Sequence, residues 1–110
     1  MNDKPRMDLP AMQTAAARAC GMLKVLGNPD RLLLLCQLTQ GEFCVSELEA
    51  QLGIQQPTLS QQLGVLREEG LVSTRREGKQ IFYKIESREA TAVMQTLYQL
   101  YCQPGKGDAS

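Results

Sequence analysis

The stretch from Phe43 to Ile85 leaves the chain little choice of fold, because helix starts, a tight turn and paired strands follow one another there in a fixed order. Ser46-Glu47-Leu48-Glu49 has the spacing of a capping box, so a short helix begins there and ends at Gly53. After a tight turn, Pro57 opens a second helix over residues 57–69, its missing N–H being no loss at a first helical position. Gly70 stops that helix, with Leu71 as a hydrophobic contact beyond. Leu59, Leu63 and Leu66 recur at i, i+4 and i+7 and are expected to face the core. Thr58, Gln61, Gln62 and Val65 are then expected to face outward, with Ser60 at the margin. Amides and hydroxyls without acids suit base edges and phosphates in a major groove, and they equally suit plain solvent. The next segment narrows the choice. Residues 72–76 and 80–85 read as strands, with Ile81, Tyr83 and Ile85 alternating on one face and Glu77-Gly78-Lys79 making the turn. A basic-tipped hairpin directly after such a helix pair is the wing of a winged helix-turn-helix, whose cations can meet backbone phosphate.

The flanks complete the architecture. Residues 1–10 are polar with two prolines and are expected to be a disordered arm. From residue 11 to 26, Met12, Ala16, Ala19, Leu23 and Leu26 fall on one face of a helix. Asn28-Pro29-Asp30 starts the next one: the amide caps, the proline takes the first position, and the acid favours the positive end of the helix. That helix carries residues 32–36 and Leu38, apolar nearly all round, and should be the buried central helix, with Gly41 at its stop. Ser87 caps a last helix with Ala90, Val93 or Met94, Leu97, Leu100 and Tyr101 as apolar positions; Pro104 ends it and residues 103–110 form a flexible tail. The expected fold is mainly α with a small β-hairpin, in the order α-α-α-α-β-β-α, as one domain over residues 11–102. The first and last helices carry more apolar residues than so small a core needs from both. A homodimer seam built from them would take up the surplus, and two-fold symmetry suits palindromic DNA.

Charge is less decisive. The chain balances 12 basic against 12 acidic residues, which argues weakly against a nucleic-acid partner. Its distribution matters more: residues 54–66 carry no charge, and Arg67, Arg75, Arg76, Lys79 and Lys84 then cluster against Glu68, Glu69 and Glu77, so a basic edge remains possible. The longest apolar run, residues 32–36, is far too short for a bilayer, and no apolar leader is seen, so a cytoplasmic setting with reduced cysteines is expected. Enzymatic chemistry is not expected: there is no Cys-x-x-Cys, no histidine to activate a nucleophile, and no glycine-rich phosphate loop. A winged helix that binds protein instead of DNA would show an apolar outward face where this one has Thr and Gln.

Taken together, Asn28-Pro29-x-Arg31, Val45-Ser46-Glu47-Leu48, Gln56-Pro57-Thr58-Leu59-Ser60-Gln61-Gln62-Leu63, Leu66-Arg67-Glu68-Glu69-Gly70-Leu71-Val72 and the Gly78-Lys79 tip before Tyr83 resemble the ArsR family of small dimeric winged-helix repressors. The resemblance covers roughly residues 11–102. It implies a repressor that holds double-stranded operator DNA and releases it when an inducer binds. Thr58, Ser60, Gln61 and Gln62 match the family's groove-facing positions, with Gln62 standing where histidine is common. Gln56, Arg67, Arg75, Arg76 and Lys79 complete the expected DNA-binding set.

The inducer is narrowed by chemistry. Zinc sites on the last helix of family members need histidine, and this chain has none. The family's arsenic-type site carries two cysteines one residue apart; here Glu42-Phe43-Cys44-Val45-Ser46-Glu47-Leu48 keeps only Cys44. A soft trivalent ion wants three thiolates, and Cys20 of a partner would make two at best, so no metal or other cofactor is expected. An arsenite-responsive repressor using Cys20 and Cys44 stands as the alternative. The pair Cys36 and Cys102, within these motifs, resembles the branch of biofilm growth-associated and sulfide-responsive repressors. That resemblance implies a redox switch: the two cysteines answer reactive sulfur species, as persulfides, through a disulfide or polysulfide bridge, and the controlled genes detoxify sulfide or persulfide. Burial is expected to raise the pKa of Cys36. On the residues alone, Cys36 reads equally as a small core hydrophobe and Cys102 as a bystander.

Overall fold

The computed structural model describes residues 8–102. The expected arm at residues 1–7 and the tail at 103–110 lie outside the described residues. Helix α1 spans Leu9–Leu26, α2 Pro29–Leu38, α3 Val45–Leu52, α4 Thr58–Glu68 and α5 Arg88–Tyr101; strands β1 Phe43–Cys44, β2 Val72–Glu77 and β3 Gln80–Ile85 form one antiparallel sheet in the order β1-β3-β2. The architecture is the winged helix-turn-helix expected, with α3 and α4 as the helix pair and β2–β3 as the wing.

Local chemistry explains most boundaries. The Asn28 side chain accepts from the Arg31 N–H at 3.0 Å and the Ser87 hydroxyl accepts from the Ala90 N–H at 3.0 Å, each satisfying a donor that has no partner within the first turn. At the end of α4, Leu71 N–H donates to the Leu66 carbonyl and Gly70 N–H to the Arg67 carbonyl, with Gly70 at φ 77°. This is a Schellman stop, and Leu71 and Leu66 both enter the core. At the wing tip Glu77 pairs with Gln80, so only Gly78 and Lys79 turn, and Gly78 supplies the positive φ of 65°.

Four details differ from expectation. First, α1 begins at Leu9, not at residue 11, because the Asp8 carboxylate accepts from the Ala11 N–H; residues 9 and 10 of the expected arm are helical. Second, α3 is capped two residues earlier than Ser46, where the Glu47 carboxylate reaches back to accept from the Cys44 N–H at 3.0 Å. Third, Phe43 and Cys44 add a third strand by pairing with Tyr83 and Phe82. Fourth, α2 is not buried all round, since Leu33 is 44% exposed and Leu32 and Cys36 are only half-buried.

Leu34 and Leu35 of α2, Leu48 of α3, Leu59, Leu63 and Leu66 of α4 and Met94 of α5 are almost wholly buried and form the centre of the core. Each contributes about 1.5–3 kcal/mol of burial free energy, so α4 is held through one leucine stripe. Most of α1 stands away from this core, with only Val25 and Leu26 buried, and no described helix is long and apolar enough to cross a membrane.

Candidate nucleic-acid interface and thiol groove

The leucine stripe fixes how α4 presents its other side. Ser60, Gln61, Gly64, Arg67 and Glu68 are exposed, and they share one face. Thr58, Gln62 and Val65, spaced i, i+4 and i+7, form a half-buried flank between that face and the core. Gln62 and Val65 are therefore not the outward residues expected: Gln62 lies three residues after Leu59 and four before Leu66, on the edge of the buried stripe. Its Oε1 accepts from Nη1 of Arg31 at 2.8 Å. Arg31 also donates through Nε to the Val25 carbonyl at 2.7 Å and through Nη2 to the Lys24 carbonyl at 3.4 Å. One guanidinium at the start of α2 thus joins the last turn of α1 to α4. Sequence reasoning noted Arg31 only as part of a motif, and missed this bridge. The signal available was a cation placed just after a helix end, whose free carbonyls attract donors.

Gln56 is engaged within the chain as well. Its Oε1 accepts from the Ser60 N–H at 3.2 Å and takes the place of a side-chain cap at the start of α4. The face left for a groove therefore consists of Ser60, Gln61, Gly64, Arg67 and, at its C-terminal end, the acidic Glu68, with Thr58 at its edge.

On the wing, Arg75 donates from Nε to Glu42 at 2.9 Å and from Nη1 to Glu77 at 2.8 Å, and its guanidinium lies 4.7 Å above the centre of the Phe82 ring. The hydrogen bonds it donates to Glu77, and then to Glu42, push its pKa further up. Arg75 pins β2 to the segment before β1, and two carboxylates already balance its charge. Arg76, Lys79 and Arg67 are exposed and make no ion pair among the described residues. They are the cations of the expected set that remain available to phosphate.

The cysteines divide differently. Between α2 and α5 runs a groove of about 720 Å³ whose walls include Leu33, Cys36, Gln37, Met94, Tyr98 and Cys102. Cys36 is half-buried and Cys102 is the exposed residue that caps α5. Burial, and then the neighbouring Cys102, push the Cys36 thiol pKa up, as expected for an apolar setting. Cys20 is exposed on α1, whereas Cys44 is buried with its Sγ 3.4 Å from the Ser46 hydroxyl. Among the described residues no three or more His, Cys, Asp or Glu side chains come together in a way that could hold a metal ion.

Residues 28–74 match the family described as bacterial regulatory protein, arsR family. The chain is 54% identical over 102 residues to the biofilm growth-associated repressor of Agrobacterium fabrum, covering 93% of this chain and 87% of that protein. The crystal structure of the transcriptional repressor BigR from Xylella fastidiosa superposes with a TM-score of 0.81 at 50% identity, over 88% of this chain and 99% of that one. Reduced HlyU from Vibrio cholerae superposes with a TM-score of 0.82 at 42% identity, over 86% of this chain and 100% of that one.

Proposed function

From the premise that this chain belongs to the arsR family of bacterial regulatory proteins and is a DNA-binding transcriptional repressor of that kind, we propose that a thiol switch between Cys36 and Cys102 controls its grip on operator DNA. The observation that carries this reading is that the two cysteines, one on α2 and one ending α5, line a single groove. The inducer is a reactive sulfur species in the cytoplasm, and the controlled genes are those that remove sulfide or persulfide.

The chemistry balances without a metal. A cysteine thiolate attacks the outer sulfur of a persulfide RS–SH, forms Cys–S–SH and releases RS⁻. The second cysteine, as thiolate, attacks the protein-bound sulfur of that persulfide, closes Cys36–S–S–Cys102 and releases HS⁻. Over the two steps the paired thiols are oxidised to a disulfide, and the persulfide is reduced to RSH and H₂S. If both cysteines first carry an extra sulfur, their condensation gives a trisulfide bridge and H₂S.

The reading face of α4 and the basic wing edge dock on DNA as a homodimer, joined through α1 and α5. Ser60, Gln61, Thr58 and Arg67 meet the major groove, and Arg76 and Lys79 the phosphates. A bridge draws the end of α5 onto α2, and Arg31 carries any movement of α2 to both α1 and Gln62 of α4. The spacing of the two α4 helices then no longer matches successive half-sites. A hundredfold loss of affinity requires only about 2.7 kcal/mol of differential binding.

Fluorescence anisotropy on the chain's own upstream DNA tests this. Reduced protein binds, glutathione persulfide releases it, and dithiothreitol restores binding; Cys36→Ser and Cys102→Ser proteins stay bound throughout. Release of DNA by the Cys36→Ser protein under persulfide would overturn the proposal. Release of the native protein by arsenite alone would point instead to Cys20 and Cys44.

A further inference from the structure

Gly64 stands at the centre of the exposed face of α4. It follows Ser60 and Gln61 by four and three residues, and precedes Arg67 and Glu68 by three and four, so all four are its surface neighbours. Glycine is among the least favourable residues inside a helix, because it surrenders the most backbone freedom. Two reasons usually account for such a glycine, and neither applies. Its backbone is not among the positive-φ positions, which are Gly41, Gly53, Gly70 and Gly78. A Cβ built at Gly64 would meet nothing within 4 Å. Alanine would therefore fit the fold and improve the helix. Gly21 of α1 is equally open, but Gly64 stands on the exposed face of α4, so contact outside the chain is the reason to test there.

A major groove is about 12 Å wide and a helix with its side chains about 10–12 Å across, so the two fit with little to spare. The depth of entry is set by the residue at the middle of the facing surface. We propose that Gly64 is a specificity-determining residue of the DNA interface: the absence of a side chain there lets the α4 backbone reach the base edges, so that Gln61 and Ser60 come within hydrogen-bonding distance of them. Longer side chains on either side, Gln61 and Arg67, reach past the glycine to base edge and phosphate. A methyl group at position 64 holds the helix away from the groove floor and lengthens those contacts together. This rests on the reading that α4 is the element that enters the groove.

Gly64→Ala, Gly64→Leu and Gln61→Ala proteins test it through melting temperature and anisotropy on operator and on unrelated DNA. The expected result is opposite in sign for the two readouts. Gly64→Ala melts a few degrees higher while its operator affinity falls about tenfold or more. Gly64→Leu falls further, toward its affinity for unrelated DNA, which phosphate contacts preserve. Full operator affinity in Gly64→Ala, with affinity lost in Gln61→Ala, would overturn the proposal and leave the reading of α4 standing. Full affinity in all three proteins would overturn both. A lower melting temperature in Gly64→Ala would show that the fold itself needs the glycine, and would also overturn it.

Discussion

The proposed switch needs a thiol that is not consumed by every oxidant, and the setting of Cys36 subdues its nucleophilicity. Burial and the neighbouring Cys102 both favour its neutral form, so its pKa lies above the ordinary thiol value. The attacking species is the thiolate. Below the pKa its share grows about tenfold per pH unit, and a raised pKa carries that rise through and beyond the usual thiol range of about 8.5. Alkylation of Cys36 by iodoacetamide, a reagent that does not itself titrate, is therefore expected to accelerate about tenfold per unit from about pH 7 to about pH 9 without levelling off. Cys102→Ser removes one of the two causes and moves the curve to lower pH. Mass spectrometry of the Cys36 peptide reads the rate; a plateau near neutrality would mean an activated thiolate that this setting does not produce. The raised pKa was legible in the sequence, since Cys36 lies within an apolar helix. Its company, Cys102, was available only through the family resemblance and not from spacing, because tertiary packing brings the end of α5 to the groove of α2.

At the scale of elements, the wing separates cations that hold structure from cations that remain available. Arg75 is bound to Glu42 and Glu77 and stacks on Phe82, so it ties β2 to the segment before β1. Arg76 and Lys79 project from the same hairpin without such partners among the described residues. Each phosphate neutralised contributes about 0.9 to the slope of log affinity against log salt. Arg76→Ala and Lys79→Ala are each expected to lower that slope by about one and to weaken operator and unrelated DNA alike. Arg75→Ala is expected to leave the slope nearly unchanged. Anisotropy titrations across a salt series decide it: an equal drop for Arg75→Ala would mean that its ion pairs open on DNA. The same division shows what sequence can and cannot reveal. Caps at Asn28 and Ser87 and the stop at Gly70 depend on neighbours within a few residues, so they could be read directly. The two-residue strand Phe43–Cys44 is too short to alternate, and the outward set on α4 was misjudged by one flank. Leu59 and Leu66 place Gln62 beside the core, but its choice of Arg31 as partner depends on how α2 crosses α4.

The whole molecule leaves apolar surface without cover in one chain. Leu23 of α1 is 62% exposed, Leu100 of α5 66% and Tyr101 80%; α1 itself is about 27 Å long by its rise per residue, and its inner face touches the core only near its end. Apolar area of this kind on two helices is where the proposed homodimer would place its seam. Leu23→Glu with Leu100→Glu places carboxylates in that seam, where burial of an unpaired charge is unfavourable. Sedimentation is then expected to show a monomer, folded by circular dichroism, whose operator affinity drops toward that of a single half-site. The proposed thiol bridge would leave that seam intact. Closing Cys36 to Cys102 within one chain draws α5 against α2 without adding charge to the apolar surface, so the bridged protein is expected to remain a dimer of unchanged sedimentation coefficient while it releases DNA. The two readouts must separate for a switch that re-spaces its α4 helices. If persulfide instead converts dimer to monomer in step with DNA release, the bridge works by breaking the seam, and Arg31 has no part in carrying the signal to α4.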